Sequence, residues 1–384
     1  MTEKIQPLFQ RNKDMSTIQN LSKTKNPDYM IQLDALRGIA VFAVMLEHYV
    51  PSNVSGFILS YLKPILHWGT SAITFFFLLS GFLITGILLR CRDTIKSNNQ
   101  SIGFTLKRFY IRRFLRTFPI YYLTLAVTAI GFNQVKSVFF WHLTYTTNIM
   151  ILFRGEWDQT SSHFWTLAME EQFYLIWPCV ILFLPKKHLL KAIFITIILG
   201  VVSKFICYGF NFNEVQILVF PLASMDSLGL GALLALYKYN HEQFKQNQQF
   251  LCNLGLWVCL PLLILFNNIA LFNMLVRPTV LAIFYIWLIS RAAEGFSGLP
   301  GKILELKPLV FLGKISYGVY VYHVFLNPTF NKAYELNLFS PIPLPLEILL
   351  KIIITLAIAI PSWLLIEQPI NNLKRHFSYK KTII

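Results

Sequence analysis

Apolar runs of about 20 residues recur along the whole chain, and nothing else in the sequence limits the fold so strongly. A run of that length crosses a bilayer as a helix, because a helix satisfies its own backbone hydrogen bonds where no water can. The runs fall at about 34–50, 65–89, 118–133, 163–184, 189–208, 217–237, 250–267, 271–290, 308–327 and 344–366. Of the 384 residues, 55% are hydrophobic and 14% charged, and the mean hydropathy is +0.53. Soluble domains carry about 25% charged residues. A membrane β-barrel would show alternating segments of about ten residues instead. The expectation is an all-α, polytopic membrane protein with about ten transmembrane helices. The stretch 136–153, "KSVFFWHLTYTTNIMILF", holds polar Thr and Asn residues and reads as re-entrant or interfacial.

Charge sets the topology. The formal net charge is +16, which in a soluble protein would suggest nucleic acid. Here the basic residues sit between the spans, and no basic face with interleaved aromatics lies outside them, so no nucleic-acid partner is expected. With the N-terminus inside, the inner segments hold Arg90, Arg92, Arg108, Arg112, Arg113 and Arg116, then Lys186, Lys187, Lys238, Arg291, Lys302 and Lys307. The outer loops hold only Lys63, Lys136, Arg154 and Lys332. This places both termini in the cytoplasm. Residues 1–30 lack the apolar core of a signal peptide and read as a flexible basic tail. Residues 31–370 form the membrane domain, and 371–384 a basic C-terminal tail. The cysteines Cys91, Cys179, Cys207, Cys252 and Cys259 show no metal-ligand spacing and read as small hydrophobes; no metal site is expected.

Ionisable side chains inside spans are costly and mark function or pairing. In "LDALRGIAVFAVMLEHYV", 33–50, helical geometry puts Asp34, Arg37 and His48 on one stripe. Glu47 lies about 100° away, and His48 sits roughly 21 Å deeper than Asp34. Such a histidine should face the bundle interior or a water-filled cavity. Glu170 and Glu171 reach a similar depth from the other side, as does Asp226. His323 comes out level with His48. These heights point to one central polar cavity. In "LKRFYIRRFLRTFPIYYL", 106–123, Arg112, Arg113 and Arg116 are spaced to share a helix face. They fit positive-inside topology and an anion site equally well. The small residues Gly69, Ser71, Ala72, Ser80, Gly81 and Gly86 predict close helix approach.

In order, these segments resemble the acyltransferase-3 family of integral membrane acyltransferases, which includes O-antigen and exopolysaccharide O-acetylases. The first span is similar to the LDxLRGxA opening with its Arg-x10-His pattern, here Arg37 and His48. "FFFLLSGFLIT" (75–85), "RRFLRTFPIYY" (112–122), "HFWTLAMEEQFYLIWP" (163–178), "SMDSLGLGALLA" (224–235), "SYGVYVYH" (316–323) and "IEQPINNLKR" (366–375) resemble further family blocks. Thr166 and Ala168 replace two common serines, and the basic residue usual near Asp226 is missing.

The resemblance implies transfer of an acyl group, usually acetyl, from acyl-CoA to a hydroxyl of a carbohydrate or glycoconjugate. Acyl-CoA would be a co-substrate, with no bound cofactor, and membrane lipid the surroundings; the location implied is a bacterial inner membrane. Arg112, Arg113 and Arg116 would meet the CoA phosphates, and His48 would act as general base or carry the acyl group. Arg37, Asp34, Glu170 and Glu171 would assist, and Asp226, Tyr317 and His323 would line the cavity or meet the acceptor. The rival reading is a transporter or flippase of a lipid-linked saccharide. No repeat relating the two halves favours it.

Overall fold

The computed structural model describes residues 29–51, 68–158, 160–338 and 340–379; the N-terminal tail expected at 1–30 lies almost wholly outside them. Among the described residues the chain is helical, with no strand. The main helices are α1 (Ile31–Tyr49), α2 (Trp68–Ser97), α3 (Ile102–Gly131), α4 (Phe164–Phe183), α5 (Lys186–Gly209) and α6 (Met225–Tyr239). Then follow α7 (His241–Leu265), α8 (Phe272–Glu294), α9 (Lys307–Lys314), α10 (Ser316–Glu335) and α11 (Leu344–Phe377).

Six helices are long and apolar enough to cross a membrane: α2, α3, α5, α7, α8 and α11. The pair α9–α10, bent by 61°, makes a seventh if counted as one span. The remaining runs of the sequence differ for physical reasons. Helix α1 carries Asp34, Arg37 and Glu47, and α4 carries Glu170 and Glu171. The run 217–237 is broken into a short helix, Glu214–Val219, and the 15-residue α6. Every residue of α6 from Asp226 to Tyr237 is buried, so it is a core helix, apolar on all sides because protein surrounds it. The stretch 136–153 is divided among three short helices and the turns between them, the longest helix being Thr147–Arg154.

Close approach holds the centre together. A Cβ on Gly81 of α2 would strike the backbone of Leu228 in α6, and one on Gly231 of α6 would strike that of Leu78 in α2. Two glycines thus let the two helix backbones touch, as the small residues of α2 predict. A similar pair, Gly38 and Gly313, seats α1 on α9.

Helix α3 departs from its expected bounds. The basic stretch is not a loop ahead of a span at 118–133; it belongs to the same 30-residue helix, which runs through Pro119. At 1.5 Å per residue such a helix is about 45 Å long, more than a bilayer core. Its arginines therefore project from a rigid element into the end of the bundle.

Candidate active site

A cavity of about 280 Å³ opens where α1, α2, α3, α4 and the start of α10 meet. Its polar lining is Arg37 from α1, Ser80 from α2, and Arg113, Arg116 and Thr117 from α3. Helix α4 adds Thr166, Glu170, Glu171 and Tyr174, and α10 adds Ser316, Tyr317 and Tyr320. Helical spacing explains the selection: 113, 116 and 117 share one face, as do 166, 170 and 174, and 316, 317 and 320.

Arg113 ties the two carboxylates together. Its Nη2 lies 3.8 Å from Glu170 Oε2 and its Nε 3.5 Å from Glu171 Oε1. The guanidinium stacks over the Tyr174 ring, 3.6 Å from the centroid. Glu170 also accepts from Ser80 Oγ at 2.8 Å and from the Tyr174 hydroxyl at 3.2 Å. Glu171 accepts from Thr117 Oγ1 at 3.1 Å. Tyr317 donates to the Thr117 carbonyl at 2.7 Å, which fixes α10 on α3. Two adjacent carboxylates in this setting are tolerable because a cation and three hydroxyls share their charge.

Arg37 forms an ion pair with Asp34 at 3.3 Å, and Asp34 accepts a further bond from the Tyr29 hydroxyl at 2.7 Å. Arg116 differs from its neighbours. It lines the cavity but makes no hydrogen bond or ion pair among the described residues. The expectation that Arg112, Arg113 and Arg116 form one basic face is therefore corrected. Arg112 Nη1 donates to the carbonyls of Lys374 at 2.7 Å and Phe377 at 3.4 Å, and its guanidinium lies over the Tyr379 ring. Arg112 clamps the C-terminal segment and is absent from the cavity wall. Sequence spacing could not show this, because the carbonyls that capture it lie over 260 residues away.

The single central cavity is corrected as well, because His48, His323 and Asp226 do not line it. The rings of His48 and His323 are adjacent, with centroids 5.0 Å apart, in keeping with their equal predicted depth. His163 joins them, 5.6 Å from His323. Tyr320 separates this histidine cluster from the cavity: it lines the cavity and packs 5.5 Å from His323 and 5.7 Å from His163. Thr166 bonds the Tyr320 hydroxyl at 2.5 Å and donates to the His163 carbonyl at 3.1 Å. The threonine at this position of the WSLS-like block thus still supplies a hydroxyl.

Asp226 sits elsewhere, wholly buried. Lys204 of α5 approaches it at 2.6 Å, Thr279 donates to it, and the Ser227 backbone N–H donates at 2.8 Å. The basic residue missing next to Asp226 in sequence is supplied by another helix. No carboxylate of the cavity reaches His48 either. Glu170 and Glu171 are held by Arg113, and Glu47 accepts from the Gly69 N–H at 3.2 Å.

Sequence reading missed Ser80, Thr117, Tyr174, Lys204 and His163. Tyr174 was accessible in principle, four residues beyond Glu170 on one helix face. Lys204, a cation deep in an apolar run, was a second available signal.

Apolar helices around ionisable groups define an integral membrane protein of the polytopic helical class. Within that class, the chain belongs to the acyltransferase family whose domain model matches residues 30–364. It is similar to the peptidoglycan O-acetyltransferase OatA of Listeria monocytogenes serovar 1/2a, at 29% identity over 90% of this chain and 56% of that protein. It is also similar to the O-acetyltransferase OatA of Staphylococcus aureus (strain COL), at 24% identity over 94% of this chain and 60% of that protein. The chain thus spans little more than half the length of these relatives. No solved structure matches.

Proposed function

We propose that this chain is a membrane-embedded O-acetyltransferase that moves an acetyl group from acetyl-CoA to a hydroxyl of an envelope glycan. Arg116 carries this reading: a cation lining the cavity that makes no ion pair or hydrogen bond among the described residues. Arg113 is occupied by Glu170 and Glu171, and Arg37 by Asp34, so Arg116 is the group left to meet a phosphate of the donor. Arg37 and His48 lie eleven residues apart on α1, about 16 Å along the axis. A donor held by its phosphates at one end and reacting at the other has that gap to bridge. Its pantetheine arm would run past Tyr317 and Tyr320.

At the far end His48 takes the proton from the acceptor hydroxyl. The alkoxide oxygen bonds to the thioester carbonyl, the C–S bond breaks, and the CoA thiolate recovers the proton. A histidine suits this role because its unperturbed titration lies near neutrality. Names of the relatives make peptidoglycan the first acceptor to try. The topology that fits is about ten crossings, which adds the polar helices α1 and α4 and the broken run through α6 to the apolar spans, with both termini cytoplasmic in a bacterial inner membrane. A cytoplasmic donor would then serve an acceptor outside.

The test is release of free CoA from acetyl-CoA by the purified chain in nanodiscs, with a peptidoglycan disaccharide as acceptor. His48→Asn is expected to slow release by about 10²–10⁴-fold. Undiminished release would remove His48 from the chemistry, and no release by the unaltered chain with any glycan acceptor would favour the transporter reading.

A further inference from the structure

Two nitrogens in the histidine cluster are buried without a partner. His323 is fully buried, and its Nδ1 lies 2.7 Å from the carbonyl oxygen of Tyr320. A carbonyl only accepts, so Nδ1 carries the proton and Nε2 of the neutral ring is a bare lone pair. That Nε2 has no hydrogen-bond partner among the described residues. His163 shows the opposite tautomer. Its Nε2 donates to the Val321 carbonyl at 3.2 Å, and its Nδ1 is the bare, buried, unpartnered nitrogen. A buried acceptor left without a donor costs about 1–3 kcal/mol, so each such group calls for an explanation.

We infer that His323 is the positioning residue of His48: the two rings are not hydrogen-bonded as they stand, and when the His48 ring turns toward it the bare Nε2 takes the His48 N–H, which leaves the other His48 nitrogen as the base. This deepens the proposed function and rests on it. The His48 ring stands 5.0 Å from that of His323, edge to face. His323 is itself held rigidly. Its carbonyl accepts from the Tyr49 hydroxyl at 2.8 Å, and that hydroxyl pairs with Thr355 at 2.7 Å. Asp34 is engaged by Arg37, and Glu170 and Glu171 by Arg113. When His48 takes the hydroxyl proton it becomes an imidazolium, and a neutral acceptor at its second N–H stabilises that charge without having to move. His163, 5.6 Å behind His323, completes the wall of the cluster.

The test compares His323→Leu with His323→Gln, whose side-chain oxygen can accept the same N–H. Leucine is expected to lower kcat for CoA release by about 10²-fold at an unchanged acetyl-CoA KM, and glutamine to restore most of the loss. In parallel, ¹⁵N-histidine NMR of the full chain in nanodiscs reads the His48 tautomer. One tautomer is expected in the unaltered chain and in His323→Gln, and a mixture in His323→Leu. Equal losses of kcat in both variants, or a His48 tautomer indifferent to His323→Leu, would overturn the inference. If the unaltered chain releases no CoA, the proposed function fails, while the tautomer still decides whether His323 holds His48.

Discussion

Two clusters of buried charge lie in this bundle, and they are completed differently. At Lys204 and Asp226 the ion pair is 2.6 Å long and both side chains are almost wholly buried. Thr279 and the Ser227 N–H supply the remaining bonds to the carboxylate, so nothing is left over. In the cavity, Arg113 meets two carboxylates at longer range, and Arg116 beside it makes no ion pair among the described residues. The first cluster is closed and holds α5 to α6. The second is open: its three arginines and three carboxylates balance in number, but two carboxylates crowd Arg113 and Arg116 makes no ion pair among the described residues. Unfinished electrostatics in a cavity, rather than buried charge in itself, separates a site from a strut.

The comparison can be broken at either end. The largest effect is expected at the closed pair. Lys204→Met leaves Asp226 buried and unpaired, which costs about 3–5 kcal/mol and should be seen as loss of folded protein in a thermal melt. Adding Asp226→Leu should recover most of that stability, because removing both charges is close to neutral. A Lys204→Met chain that folds normally would mean Asp226 has another role. At the open cluster, Arg116→Gln should leave the melt unchanged and raise the acetyl-CoA KM by about 10–100-fold, the value of a charged hydrogen bond. The smallest effect is expected at Arg112. Arg112→Gln frees the C-terminal segment but should leave the donor KM within about twofold, because this arginine faces backbone carbonyls and not the cavity.

Much of this was legible in the sequence, and the misses share a cause. Helical periodicity placed Asp34, Arg37 and His48 on one stripe, and depth arithmetic set His48 level with His323, whose rings do meet. The small residues of α2 announced the backbone contact at Gly81. These are local signals with a fixed period. What failed was pairing across the chain. Arg112 and Arg116 look equivalent at i,i+4, yet only the folded C-terminal segment distinguishes them. Asp226 seemed to lack its cation because Lys204 arrives from a different helix. Glu170 and Glu171, expected to assist His48, are held instead by Arg113. Depth along one helix is readable from sequence, whereas azimuth relative to another helix is set by packing.

Reception of the donor in the cavity through Arg116 is the step on which the proposed catalysis depends most. Equilibrium binding of CoA to the purified chain in nanodiscs tests it directly, with His48→Asn and Arg116→Gln measured beside the unaltered protein. The expected result is saturable CoA binding that His48→Asn leaves intact and Arg116→Gln weakens at least about tenfold. Equal CoA affinity in the unaltered chain and in Arg116→Gln would contradict it.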